Sequence, residues 1–128
     1  MMGDLTEHFD SVADNLRCPC CGECNMDSAF MEWLEEFRVA LGIPFSAVDG
    51  GGYRCPDFNE SDTGAHTEGV AIDLDLYRVY YHEALRIAME MDVQGVGIKQ
   101  REGRFQLHLD MAEDIPGLRP RPRIWTYG

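Results

Sequence analysis

Val70-Ala71-Ile72-Asp73-Leu74-Asp75-Leu76 alternates residue by residue, with Ile72, Leu74 and Leu76 on one side and Ala71, Asp73 and Asp75 on the other. A period of two is the signature of a strand that buries one face and leaves the other polar. The same pattern returns in Arg104-Phe105-Gln106-Leu107-His108-Leu109-Asp110-Met111, where Phe105, Leu107, Leu109 and Met111 share the apolar side and Gln106, His108 and Asp110 the polar one. Just before it, Val96-Gly97-Ile98-Lys99 and a turn around Glu102-Gly103 predict the other arm of a hairpin.

Two helical patterns flank these strands. Asp27 is placed to cap a helix whose apolar residues Phe30, Met31, Trp33, Leu34, Phe37 and Leu41 recur at helical spacing until Gly42 stops it. From Tyr80 to Met91, Tyr80, Ala84, Ile87, Ala88 and Met91 form one face, and Glu83, Arg86 and Glu90 lie on another. Ile43–Val48 reads as a short strand, and Asp49–His66 as a long glycine-containing loop, a kind of segment that is more often functional than idle. The expected fold is α+β: a small antiparallel sheet with helices packed on one face and the polar rows on the other. The 128 residues make one domain, with a cysteine-rich N-terminal segment (1–26) and an extended C-terminal tail (115–128). In that tail Arg119, Arg121 and Arg123 alternate with prolines and read as a solvated polyproline-like stretch, while Trp125 folds it back onto the body.

A net charge of −12 repels a phosphate backbone, so nucleic acid is not an expected partner. No run of about 18 apolar residues is available to enter a membrane. The first residues lack a basic stretch followed by an apolar one, which predicts synthesis in the cytoplasm without a signal peptide. A monomer is expected. The five cysteines are an odd number, four of them in Cys18-Pro-Cys20-Cys21-Gly-Glu-Cys24 and Cys55 apart. Cys18-x-x-Cys21-Gly22 has the form of half a zinc knuckle, but the second close pair that such a site draws on is missing. Reduced buried thiols, or one link from this cluster to Cys55, are therefore expected ahead of a structural zinc ion there.

The chemistry concentrates on the polar faces. If the two alternating strands are neighbours, Asp73 and Asp75 meet Gln106, His108 and Asp110, and His66, seven residues before Asp73, can swing over the same face. Two histidines and a carboxylate suit a tetrahedral zinc ion with its fourth position left for water, whose pKa such an ion lowers towards about 7. His8 and His82 have no partner at ligand spacing and read as surface or helix-face histidines, and Asp75 as a solvated or sheet-face carboxylate.

His66-Thr67-Glu68-Gly69-Val70-Ala71-Ile72-Asp73 resembles the His-x-x-Gly-x-Ala-x-Asp signature of the D-alanyl-D-alanine carboxypeptidase and hedgehog-type zinc peptidases. Gly52-Tyr53-Arg54-Cys55-Pro56 with Asn59 is similar to that family's Ser-Gly-Tyr-Arg-x-Pro loop, Leu107-His108-Leu109-Asp110 to its last ligand strand, and His8-Phe9 with the cysteine element to the start of short phage-type members. The likeness spans residues 8–127. It implies a hedgehog/DD-peptidase-like fold, one catalytic zinc ion on His66, Asp73 and His108, and Arg54 facing the substrate's carboxylate or the oxyanion.

The substrate implied is a peptidoglycan stem peptide, cut by a carboxypeptidase or an endolysin-type endopeptidase that acts at the cell wall, with a phage product as the natural setting. The general base is Glu102, six residues before the last histidine, or Asp110, whose other role would be to orient a ligand histidine. Phe105, where some relatives carry an acid, cannot serve. Gly64 replaces a serine and Gln106 a histidine of many relatives, which keeps open a non-catalytic zinc-binding domain acting as a virion or binding component.

Overall fold

The structure is a computed structural model that describes residues 3–58, 64–101 and 104–127. Helix α1 (Ser28–Leu41) begins where Asp27 accepts a hydrogen bond from the Phe30 amide at 2.9 Å and ends at Gly42, whose φ of 72° suits a residue without a side chain. Strand β1 (Ala71–Leu76) follows the long loop, and a 3-10 turn (Arg78–Tyr80) leads into α2 (Tyr81–Glu90). Strands β2 (Gly95–Arg101) and β3 (Arg104–Asp110) form the hairpin, and β4 (Arg123–Thr126) closes the chain.

The sheet runs β1-β3-β2-β4. β3 lies antiparallel to both β1 and β2, whereas β4 runs parallel to β2, so the sheet is mixed and not antiparallel throughout. The tail is the cause. Residues 123–126 add a strand to the free edge of β2, a pairing that the alternating Arg-Pro pattern of 119–123 conceals. The tail is accordingly a solvated arm only in part: Arg119 is 3% exposed and paired with Glu68 and the Arg121 side chain is 7% exposed, whereas Arg123 faces solvent. Ile43–Val48 is not a strand. Pro44 has no amide to donate, and the segment makes one bridge, Ala47 to Leu74, with the Val48 amide on the Asp73 carbonyl at 2.9 Å.

One face of the sheet supplies Ile72, Leu74, Leu76, Val96, Leu107 and Leu109 to a core completed by Phe30, Leu34 and Phe37 of α1 and Ala84 and Ala88 of α2. Phe9 and Leu16 plug the same core from the N-terminal segment, both fully buried. Burying a side chain of this size contributes roughly 1.5–3 kcal/mol. With the apolar rows thus committed, the polar rows of β1 and β3 face the opposite side. Among the described residues no helix is long and apolar enough to cross a membrane.

Candidate metal centre

Register decides which polar side chains meet. Asp73 pairs with His108 across β1 and β3, His108 with Gly97 across β3 and β2, and Gly97 with Trp125 across β2 and β4. Directly paired residues share a face, so Asp73, His108, Gly97 and Trp125 form one row over the sheet. Gly97 contributes no side chain, and the Trp125 ring takes the vacant space, its centroid 5.1 Å from that of His108. One step along, Gly95 stands beside Asp110, where an added Cβ would fall 2.2 Å from Asp110 Oδ2.

His66 arrives from a compact turn in which Glu68, Val70 and Gly69 donate to the carbonyls of Gly64, Ala65 and His66 at 2.9, 3.1 and 3.2 Å. Gly69 has φ 74°, and a Cβ there would lie 2.1 Å from the Asn25 carbonyl oxygen. Its own carbonyl accepts from the Asp27 amide at 2.9 Å, tying the turn to the cap of α1. These contacts account for glycine in the His66-x-x-Gly69-x-Ala71-x-Asp73 string.

The donor atoms converge. His66 Nε2 lies 3.4 Å and His108 Nδ1 2.9 Å from Asp73 Oδ1, with all three residues buried. Tetrahedral bonds of about 2.0–2.1 Å would set the donors about 3.4 Å apart, so the group fits a zinc-sized ion. Both imidazoles are oriented from behind. A carbonyl can only accept, so the 2.9 Å contact of His66 Nδ1 with the Gly52 carbonyl puts a proton on Nδ1 and turns Nε2 towards Asp73. His108 Nε2 lies 2.6 Å from Asp110 Oδ2 and turns Nδ1 towards Asp73.

Charge follows geometry. Burial alone would raise the Asp73 carboxyl, but hydrogen bonds and charge from His108 and His66 hold it well below the usual carboxylate range. Burial would lower His108, yet Asp110 and Asp73 together raise it above the ordinary imidazole value. Asp110 is depressed likewise: desolvation is outweighed by His108 and Arg121.

Arg54 stands at the edge of this cluster, donating from Nη2 to Asp73 Oδ2 at 2.8 Å and from Nε to the Gly50 carbonyl at 2.6 Å. Asp110 is fully buried and accepts from His108 Nε2, the Ala112 amide and Arg121 Nε and Nη2. Gln106 donates to the Tyr127 hydroxyl at 3.0 Å. Asp75 is a half-buried sheet-face carboxylate opposite Gln106, and its Oδ1 has no hydrogen-bond partner among the described residues. Glu102 and Asn59 lie outside the described residues. His8 is a surface residue paired with Glu35, and His82 is exposed.

Two parts of this centre escape a reading of the sequence. Arg121, held over Trp125 at 5.0 Å and donating to Asp110, comes from the proline-alternating tail, and the Gly52 carbonyl carries no side-chain signal. Gly95 and Gly97, two small residues on the polar side of β2, are the trace that such an overlay leaves.

A second donor group also assembles. The sulfurs of Cys18, Cys21 and Cys55 lie within 4.8 Å of one another, so Cys55 supplies part of what the N-terminal knuckle lacks. All five cysteines are free thiols. Burial pushes Cys18 up, but N–H donors from Cys55, Cys21 and Cys20 outweigh it and hold the thiol down at about 7.

Compared with family models, with curated proteins and with solved structures, the chain matches none. The structure defines an α+β domain in which, among the described residues, three groups could hold a metal ion: the two above, and Glu7, His8 and Glu35 at the surface.

Proposed function

We propose that this protein is a zinc-dependent peptidase of the D-alanyl-D-alanine carboxypeptidase and hedgehog type, acting on a peptide bond of peptidoglycan stem peptides. The observation that supports it is the convergence of His66 Nε2, Asp73 Oδ1 and His108 Nδ1, each imidazole backed by its own acceptor, on the polar face of the sheet. Three protein donors with a fourth position left open is the arrangement of hydrolytic zinc sites. When bound there, zinc supplies a Lewis acid that polarises the scissile carbonyl and acidifies water.

The chain's own residues do the rest. Gly52 and Asp110 hold the two imidazoles in place, so that the donor set is formed before any ligand arrives. Arg54 keeps 27% of its side chain exposed while anchored to Asp73, which leaves it within reach of an anionic substrate group. Asp110, sealed from solvent and already accepting four hydrogen bonds, is unsuited to moving a proton to a substrate. Glu102 is therefore the proposed general base. Cell-wall lysis by a phage product is the setting that suits this chemistry.

A second reading, a zinc-bearing binding or virion component, draws on the commitment of Arg54 to Asp73 and Gly50 and of Gln106 to Tyr127. The two separate in one experiment: zinc per chain and turbidity of purified cell walls, for the native protein, His66→Ala and Glu102→Ala. The peptidase reading expects His66→Ala to lose one zinc and all clearing, and Glu102→Ala to keep its zinc but lose clearing by a factor of about 100 or more. Zinc lost with His66→Ala but no clearing of any wall chemotype by the native protein would overturn it in favour of the binding component.

A further inference from the structure

Away from the sheet, the thiols of the N-terminal segment and the long loop meet. Cys18 and Cys55 are buried, and the Cys55 amide donates to Cys18 Sγ at 3.3 Å. The Cys20 and Cys21 amides are directed at the same sulfur. Cys18 also closes a tight turn, its carbonyl accepting from the Gly22 amide at 2.8 Å, and Gly22 takes φ 76°, a conformation that suits glycine. A sulfur surrounded by backbone donors at the mouth of such a turn is the environment in which a thiolate is held for a metal. Cys21 reaches both Cys18 and Cys55, and the Cys20 thiol hydrogen-bonds that of Cys55. Cys24, the fifth, packs against the main core instead.

We propose that Cys18, Cys20, Cys21 and Cys55 form a second, structural site for a thiophilic divalent cation, zinc foremost. The donor set is all sulfur, which selects zinc over magnesium or calcium. Four thiolates complete a tetrahedron and leave no position for water, so this site is closed. Loading it releases the thiol protons and joins the N-terminal segment to the loop that carries Gly52 and Arg54. The first of these orients His66 and the second grips Asp73, so the thiolate site braces the other centre without taking part in its chemistry.

The test is zinc content and zinc X-ray absorption on protein purified with excess zinc under a phosphine reductant. In His66→Ala, about one zinc is expected to remain, with sulfur neighbours alone at about 2.3 Å. Cys55→Ser should lose that ion, and Cys24→Ser should keep it. The native protein, measured alongside, must itself show a sulfur shell, which decides the matter even where a variant fails to fold. Zinc with nitrogen and oxygen neighbours only, or a chain two mass units light because two of these thiols form a disulfide in the reduced preparation, would overturn the proposal. Neither result depends on whether the other site hydrolyses anything.

Discussion

The His66–Asp73–His108 group and the Cys18–Cys21–Cys55 group are both sets of three converging donors, yet they are assembled in different ways. The first is laid out by a sheet. Asp73 and His108 are paired residues of adjacent strands, their separation follows from β geometry, and a second layer of Gly52, Asp110, Arg121 and Trp125 locks the imidazoles. The second is formed by two loops whose cysteines lie 37 residues apart, with backbone amides as its support. A donor set built on strands is held by the core behind it, whereas one built on loops depends on what it binds. Perturbing the outer layer should therefore harm the first site while leaving the second intact.

The largest effect is expected from Asp110→Ala. It removes the acceptor of His108 Nε2 and leaves the Arg121 guanidinium buried without its carboxylate. Breaking a buried pair on one side costs about 3–5 kcal/mol, and losing the acceptor behind a ligand histidine costs roughly 10–100-fold in metal affinity. Urea unfolding of metal-free protein checks the first figure and competition with a chelator the second. The zinc that survives in His66→Ala should be unaffected in the His66→Ala, Asp110→Ala double variant. Its loss there would mean that the two groups are one coupled unit.

A smaller and more local effect distinguishes the two glycines of β2. Gly95→Ala would place a Cβ 2.2 Å from one Asp110 oxygen and 2.5 Å from the other, so the carboxylate must move, with an expected loss of about 2–3 kcal/mol. Gly97→Ala meets Trp125 Cε2 and Nε1 at 3.0 Å and His108 Cβ at 3.1 Å, contacts that a tilt of the indole relieves, and should cost about 1 kcal/mol. Thermal unfolding of both variants ranks them. A Gly97 variant as damaged as the Gly95 one would show that Trp125 is as firmly placed as Asp110.

The contrast in assembly also explains what could be read from the sequence. Alternation exposes Asp73 and His108 because a strand turns every second residue the same way, and the cap at Asp27 and the stop at Gly42 bound α1 by local chemistry alone. Arg121 and β4 are hidden because arginines between prolines read as an extended solvated arm, and pairing along the edge of β2 is a tertiary event that no local periodicity reports. Cys55 stands alone in the sequence and joins its partners because Cys18 runs beside the loop, where the Tyr53 amide reaches the Leu16 carbonyl at 3.2 Å. Ile43–Val48 looks like a strand by composition, yet Pro44 and a single bridge to Leu74 limit it to one contact.

The smallest effect, and the sharpest separation of the two groups, lies in the pH dependence of the metal-free, reduced protein. Folding raises His108 above its ordinary value near 6.5, so its contribution to stability is complete below pH 6.5 and is lost as the pH rises through the folded value. Cys18 behaves in the opposite sense. Its thiol falls from 9.0 to about 7, so its contribution is present above pH 9 and is lost as the pH falls through 7. In the native chain the two oppose each other, and each appears once the other is removed. Urea midpoints of Cys18→Ser should fall as the pH rises above 6.5 and the imidazolium between Asp73 and Asp110 discharges, and those of His108→Gln should rise from pH 7 to pH 9. Zinc reverses the first trend, because binding at His108 Nδ1 requires the proton to leave and so strengthens as the pH rises. Parallel slopes for the two variants would mean that the pH response belongs to neither group.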